Sequence, residues 1–179
     1  FHRALGLEAG GQAYAGLGAA LRQSGEPGAA MDALEQALSL SPGNVDAFIQ
    51  FGLCFMDQGE RDAAISTFEE GLRICPGHPG LRLHLGLAWL ARGDAPEAAR
   101  LFLELAGERP RNASYRLHLG HALLHAGDME GAVAEYEACL DLSPGEPEAV
   151  HFLAICGRRE IHRASSGYVR QVFDAYAAS

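Results

Sequence analysis

The sequence repeats itself every 34 residues, and this period constrains the fold more than any other feature. Aligning the chain with itself at that shift gives six columns of related residues, each in four copies. Three columns hold only small residues: Gly18, Gly52, Gly86 and Gly120; Gly25, Gly59, Gly93 and Gly127; Ala30, Ala64, Ala98 and Ala132. The other three hold proline or large apolar residues: Pro42, Pro76, Pro110 and Pro144; Leu34, Phe68, Phe102 and Tyr136; Leu17, Phe51, Leu85 and Leu119. Such a period is typical of arrays in which each unit buries its apolar face against its neighbours.

Each copy is predicted to form a pair of α-helices. Apolar and small residues recur at intervals of three and four in both halves of a copy, as in Phe48, Phe51, Gly52 and Phe55 followed by Ala64, Phe68, Gly71 and Leu72. The glycine column that contains Gly25 follows the first helix, where a left-handed residue ends a helix at low cost. The proline column ends the second helix, because the residue before proline resists helical angles.

This pattern resembles the tetratricopeptide repeat (TPR), with L-G in the first helix, A-x-x-x-F-x-x-A-L in the second and a closing proline. The resemblance implies an all-α fold, in which stacked antiparallel helix pairs form a right-handed superhelix, or α-solenoid, with a concave inner surface. The predicted repeats are residues 11–44, 45–78, 79–112 and 113–146. We expect residues 1–10 to be the tail of a preceding repeat or an N-terminal extension, 147–157 to be the first helix of a fifth repeat, and 158–179 to be a linker with an amphipathic C-terminal helix.

Two departures from the TPR pattern fall in second helices. Gly71 replaces the usual alanine, and Leu105 with Ala106 inverts the usual Ala-Leu order. Both predict looser local packing.

The resemblance also implies that the first helix of each pair lines a concave groove that binds a partner protein or peptide. The repeat register places these residues there: Ile49, Leu53, Met56, Leu83, Leu87, Leu90, Leu117, His121 and Leu124, with Ala15, Ala19, Arg22, His151 and Ile155 towards the ends. This face is largely apolar and lacks the Lys, Asn and Arg of TPRs that clamp a C-terminal carboxylate. Two occupants fit such a face. One is an amphipathic helix or extended apolar segment of a partner. The other is the chain's own C-terminal segment or a second copy, because a long apolar stripe needs a cover.

The charge balance excludes several classes of function. The formal net charge is −9, and all 14 basic residues are arginine. Without lysine the chain has no phosphate-loop lysine and no Schiff-base lysine. An acidic chain is also expected to bind nucleic acids and anionic membrane surfaces poorly, because like charges repel. The absence of lysine beside abundant Ala, Gly and Arg points to a GC-rich bacterial genome.

The positions of the cysteines and histidines indicate roles in packing rather than in catalysis or metal binding. The four cysteines form no C-x-x-C motif, so we expect free thiols in a reducing cytoplasm. Cys54, Cys139 and Cys156 fall in columns of small residues, whereas Cys75 lies at a helix end. His118, His121 and His125 share one helical face, but no acidic residue accompanies them at ligand spacing. We therefore predict no metal site, no catalytic residues and no cofactor for this chain.

The C-terminal segment breaks the period. Residues 158–179 carry a net charge of +2, whereas residues 1–157 carry −11. An amphipathic stripe runs through Val169, Val172, Phe173 and Tyr176. The string resembles the segment that leads from TPR arrays into the catalytic domain of class I S-adenosylmethionine-dependent methyltransferases in bacteria. The matching residues are Tyr168, Val169, Arg170, Phe173, Asp174, Tyr176 and Ala177. The resemblance implies that S-adenosylmethionine would bind only in a catalytic domain beyond this chain, which opens without methionine and is expected to be an excerpt of a longer protein.

Three functional classes follow from the sequence. The first is the recognition arm of a methyltransferase. The second is a stand-alone cytoplasmic TPR scaffold, and the third is a self-assembling TPR protein whose terminal helix occupies a neighbour's groove. Binding of a protein or peptide is common to all three.

Overall fold

The computed structural model describes residues 2–157, with side chains from residue 6 onward. Within that range the chain is all-α and contains no strand, which confirms the predicted class. The helices are α1 His2–Gln23, α2 Pro27–Leu40, α3 Val45–Asp57, α4 Arg61–Ile74, α5 Pro79–Arg92, α6 Ala95–Glu108, α7 Ala113–Ala126 and α8 Met129–Leu142. A further helix, α9, covers residues 147–157. The predicted C-terminal linker and amphipathic helix lie outside the described residues.

The chain divides into two compact units, Phe1–Leu105 and Ala106–Ser179. In the first unit α1, α3 and α5 lie side by side, α2 packs on α1 and α3, and α4 packs on α3 and α5. In the second unit α7 packs on α8, and a buried cluster joins both helices to α9 through Leu117, Tyr136 and Ala149. No helix among residues 2–157 is long and apolar enough to cross a lipid bilayer.

Two of the sequence columns are the two halves of one contact. Each glycine of the first column lies under the large residue that follows it by 16 positions in the same repeat. A Cβ atom built on Gly52 would lie 2.2 Å from Cε1 of Phe68, and one on Gly120 would lie 2.6 Å from Cε1 of Tyr136. The equivalent approach is 2.5 Å for Gly18 against Leu34 and 2.7 Å for Gly86 against Phe102. The missing side chain therefore lets the two helices of a repeat approach closely.

The second glycine column ends the first helix of each repeat in the predicted left-handed conformation. The φ angles of Gly25, Gly59, Gly93 and Gly127 are 78°, 78°, 107° and 89°. The backbone N–H of Gly93 donates to the carbonyl oxygen of Trp89 at 3.0 Å. The same carbonyl oxygen accepts from the backbone N–H of Asp94 at 2.9 Å, so the turn at Gly93 supplies partners for a carbonyl at the helix end.

A capping column at the start of the first helices was not predicted. Asn44, His78 and Asn112 are spaced by 34 residues, and each side chain accepts a hydrogen bond from the backbone N–H three residues on. The bond from the Ala47 N–H to Asn44 Oδ1 is 3.0 Å long. Because the capping residue is Asn in two repeats and His in the other, an alignment by residue type does not reveal this column. Its position just before the start of each helix could have identified it.

The expectation of loose packing at the two departures is wrong. A Cβ atom on Gly71 would lie 3.0 Å from both Cδ atoms of Leu81 and 3.2 Å from Cβ of Phe48. Alanine would be crowded at this position, so the glycine suits a tight contact. Leu105 and Ala106 are 1% and 2% exposed, so the inverted order also leaves no opening.

Helix α1 runs without a break from His2 to Gln23, so residues 2–10 continue the first helix of the first repeat. Gly10 and Gly11 do not interrupt it. Gly11 lies against the end of α2, where an added Cβ atom would be 2.6 Å from Cβ of Ser41. This contact holds the helix in place where the sequence alone suggests a weak point.

Candidate binding face

The first unit carries an apolar face on α3 and α5, which we call the leucine face. It consists of six predicted groove residues, all half-buried: Ile49, Leu53, Met56, Leu83, Leu87 and Leu90. The two helices contact each other, and the 34-residue offset places Leu53 level with Leu87. On the side towards α4, the helices are held by a buried cluster that includes Phe48, Phe68 and Leu81.

The six residues divide into supporting and more accessible positions. Ile49 and Met56 also pack against the buried cluster. Ile49 reaches the start of α5, where a Cβ atom on Gly80 would lie 3.2 Å from its Cδ1. Leu53, Leu83, Leu87 and Leu90 keep part of their surface in solvent. The arrangement offers leucine side chains on a rigid two-helix support, which suits apolar contact with a partner.

One end of the leucine face is bordered by a neutralised arginine. Arg22 Nη1 lies 2.8 Å from Asp57 Oδ2, and Arg22 Nε donates to Gln50 Oε1 at 3.2 Å. The guanidinium is thus committed to α3 and cannot serve as an open carboxylate clamp. Of the other predicted residues on α1, Ala19 is half-buried, whereas Ala15 is only 2% exposed and lies in the core.

The other end of the unit carries a polar depression of about 620 Å³ beside the start of α3. Gln12 Nε2 donates to Asp46 Oδ2 at 2.9 Å, and Asn44 Nδ2 approaches Gln12 Oε1 at 3.4 Å. Glu8 and His78 also line the depression. Two carboxylates without a lysine or arginine in the lining make this end suited to hydrogen-bond donors and cations.

In the second unit the predicted groove residues are largely committed to packing. Leu117 is 8% exposed and belongs to the buried cluster, and Leu124 packs against it. His121 is half-buried, with its ring centroid 4.6 Å from that of Phe152 and 5.5 Å from that of Tyr136. On α9, His151 is exposed and Ile155 is half-buried. The surface for a partner is therefore smaller here than on the leucine face.

Burial governs the ionisation of the α7 histidines. Desolvation lowers the pKa of His121; Glu148, whose Oε2 lies 4.0 Å from His121 Nε2, opposes that shift, and His125 adds to it. Desolvation also lowers the pKa of His118, with a further contribution from His121. Both imidazoles are thereby kept neutral near neutral pH. Among residues 2–157, no group of three or more His, Cys, Asp or Glu is placed to hold a metal ion.

The cysteines lie where their columns predict. Cys54, Cys139 and Cys156 are buried, Cys75 is half-buried, and all four are free. Burial raises the pKa of the Cys54 and Cys139 thiols, so these groups remain protonated. The three buried cysteines therefore act as small apolar residues, as predicted.

The helix pairs, their glycine contacts and their 34-residue spacing define a helical-repeat protein. Family models described as tetratricopeptide repeat match residues 21–74, 49–113 and 83–147. Because these matches cover more than half of the chain, it belongs to the tetratricopeptide repeat family. No curated protein sequence matches the chain.

Solved structures agree with this fold. MamA residues 41 to the end, from Desulfovibrio magneticus RS-1, superpose with a TM-score of 0.76 at 18% identity, over 94% of this chain and 96% of that one. YrrB, described as a TPR protein with an unusual peptide-binding site, gives 0.69 at 19% identity over 84% and 77%. A MamA structure from AMB-1 gives 0.66 at 24% identity over 82% and 86%. At these identities the similarity establishes the fold alone.

Proposed function

We propose that this chain is a protein-interaction scaffold that binds an apolar peptide segment on the leucine face of its first unit. The observation that carries the proposal is the set of partly exposed leucines, Leu53, Leu83, Leu87 and Leu90, on two adjoining helices. A contiguous group of partly exposed apolar side chains on a rigid support is typical of a surface that contacts another protein or peptide. The buried thiols of Cys54, Cys139 and Cys156 form no disulfide, which is consistent with a protein located in a reducing cytoplasm. No catalytic role and no cofactor are assigned to this chain.

The border of the face defines the chemistry of the partner. Asp57 already neutralises Arg22 at the end of α3, while Glu8 and Asp46 line the polar depression beside the start of α3. The whole chain carries a net charge of −9. The best partner is thus a segment with leucine-like side chains for the face and a basic or hydrogen-bond-donating end near Asp46, whereas an acidic segment is repelled. YrrB, a protein of the same fold, is described as having an unusual peptide-binding site, which supports a peptide as the ligand.

The test uses peptides selected on the intact chain from a displayed random library, followed by calorimetric titration of the winning peptide. The variant Leu53→Glu with Leu87→Glu places two charges in the middle of the face and should weaken binding at least about 100-fold. Leu103→Glu with Leu142→Glu is the matched control, because these leucines are 61% and 36% exposed and lie off the face. Helical circular dichroism should be the same for all three proteins. Equal affinity in the leucine-face variant and the control would refute the proposal.

A second candidate function, the recognition arm of an S-adenosylmethionine-dependent methyltransferase, rests on sequence alone. It is supported by the match at Tyr168, Arg170, Phe173, Asp174 and Tyr176, which lie outside the described residues. Intact-mass measurement on the native gene product tests it. A mass near 19.0 kDa would refute this candidate. A mass about twice as large, with binding of S-adenosylmethionine to the longer protein, would support it.

A further inference from the structure

Helix α9 packs on two polar side chains whose columns are apolar in the other repeats. His121 on α7 shares its column with Leu53 and Leu87, and Tyr136 on α8 stands where the other repeats have leucine or phenylalanine. Phe152 of α9 contacts both rings, with centroid distances of 4.6 Å to His121 and 5.7 Å to Tyr136. The rings of His121 and Tyr136 are themselves 5.5 Å apart. The three helices of the second unit therefore meet around an imidazole and a phenol hydroxyl.

Two polar atoms at this contact are buried without a hydrogen bond. Tyr136 is 0% exposed, and neither its hydroxyl nor His121 Nε2 has a hydrogen-bond partner among the described residues. The carboxylate of Glu148 on α9 approaches His121, but its Oε2 lies 4.0 Å from Nε2, which is too far for a hydrogen bond. Leucine and phenylalanine fill the same two columns in the second and third repeats, so the packing of a repeat does not require polar groups there. Docking of α9 thus buries an imidazole nitrogen without a partner, and this burial costs more when the imidazole is charged.

The charges around His121 also oppose an imidazolium at this position. The titratable groups at the contact are His118 and His125 on α7, Tyr136 on α8, and Glu148, His151 and Cys156 on α9. A proton on His118 or His125 repels one on His121, whereas Glu148 attracts it. That attraction is screened by water, because the Glu148 side chain is 62% exposed. While α9 is docked, desolvation dominates and lowers the pKa of His121.

We propose that α9 is an acid-released helix: protonation of His121 favours the state in which α9 has left α7 and α8. In that state the imidazole is in water and binds its proton without the cost of burial. Leu117 and Phe152, which are buried and half-buried while α9 is docked, then become accessible. Acidification thus converts a closed packing contact into an apolar surface, as protonation of histidines does at other interfaces. The device lies in the second unit alone and does not depend on peptide binding by the leucine face.

Hydrogen exchange of the intact chain, measured by mass spectrometry at about pH 7.5 and about pH 5.5, tests the release of α9. After correction for the intrinsic exchange rate, the opening equilibrium of α9 should rise several-fold. The limit is about ten-fold for one histidine with an ordinary pKa of 6.5 in the open state. Peptides from α3 and α4, which contain no histidine, are the internal reference. Equal protection of α9 at both pH values would overturn the proposal, as would an equal loss of protection in α3 and α4.

His121→Leu introduces the residue of the second and third repeats and removes the proton acceptor. Helix α9 should then lose most of its response to acid while it stays protected at about pH 7.5. His151→Gln, at an exposed position on α9 itself, is the matched control and should keep the wild-type response. A full response to acid in His121→Leu would contradict the assignment to this histidine.

Tyr136→Phe keeps His121 and removes only the buried hydroxyl. Burial raises the pKa of Tyr136 further above its ordinary value, so the hydroxyl is neutral at both pH values. Its loss should increase the protection of α9 by the same factor at both pH values and leave the response to acid unchanged. Loss of the response in this variant would assign control of α9 to the hydroxyl and refute a role for the imidazole.

Glu148→Gln tests the direction of the effect. The docked imidazole loses an attraction for its proton, so the response of α9 to acid should become larger. A smaller response would mean that protonation of His121 strengthens docking through an ion pair with Glu148, which is the opposite of the proposed release.

Discussion

At the residue scale, the contact between Gly52 and Phe68 shows what a sequence column means physically. The sequence identifies the glycine column and the aromatic column separately, because each repeats at 34 residues. The structure adds that the aromatic ring fills the space left by the missing glycine side chain, which the sequence columns alone do not show. The same limit applies at Gly71, where the sequence suggests a loosened contact and the structure has a crowded one.

Gly52→Ala should destabilise the chain by about 1–3 kcal/mol, because the new Cβ atom must displace the buried Phe68 ring. Gly28→Ala, on α2 with no atom within 4 Å of the new Cβ, is the matched control. The control should be neutral or slightly stabilising, since alanine favours helix. Midpoints of urea unfolding measure both variants. Equal midpoints would mean that the ring moves aside without cost.

At the element scale, helix boundaries follow closely from the glycine and proline columns. The first helices end where Gly25, Gly59, Gly93 and Gly127 adopt positive φ, as the sequence predicts. The long helix α1 was not foreseen, because a repeat register looks for 34-residue units and residues 1–10 lie outside them. Burial within α7 also escaped prediction, since Leu117 and Leu83 occupy the same column but Leu117 is buried in a core cluster whereas Leu83 is half-buried.

The buried histidines of α7 make its stability depend on pH. The folded pKa values of His118 and His121 are lowered from 6.5, so the unfolded chain binds more protons below that pH. Stability should therefore fall as the pH drops below about 6.5, until the folded-state histidines titrate as well. His121→Gln should reduce the pH dependence of the melting temperature, whereas His151→Gln at an exposed position should not. A melting temperature that rises on acidification would contradict this account.

At the scale of the whole molecule, the chain comprises two compact units although its sequence period is uninterrupted. The local columns are the same on both sides of the boundary between Leu105 and Ala106, so periodicity carries no sign of the division. Periodicity is limited in the same way for the candidate site. The register places the groove residues on the predicted helices, but it cannot tell which unit keeps its leucines accessible, because that depends on packing between helices.

The four cysteines allow the opening of each unit to be followed separately. A thiol reagent should modify about one cysteine per folded chain, Cys75, because the other three are buried. Reaction at Cys54 then reports opening of the first unit, and reaction at Cys139 or Cys156 reports opening of the second. Mass spectrometry of peptides after timed labelling makes the measurement. Rapid modification of Cys54 at neutral pH would contradict the burial described for it.

The pairing of each glycine with a large residue of its own repeat also has an evolutionary consequence. Both partners lie within one 34-residue segment, so a copied segment carries its complete internal contact with it. Gene duplication or deletion of a whole segment keeps this contact in every copy, whereas contacts between repeats, such as Gly71 with Leu81, must still match. The length of such a chain can therefore vary in steps of one repeat, and Leu34, Phe68 and Tyr136 show that the large partner of the glycine differs between copies.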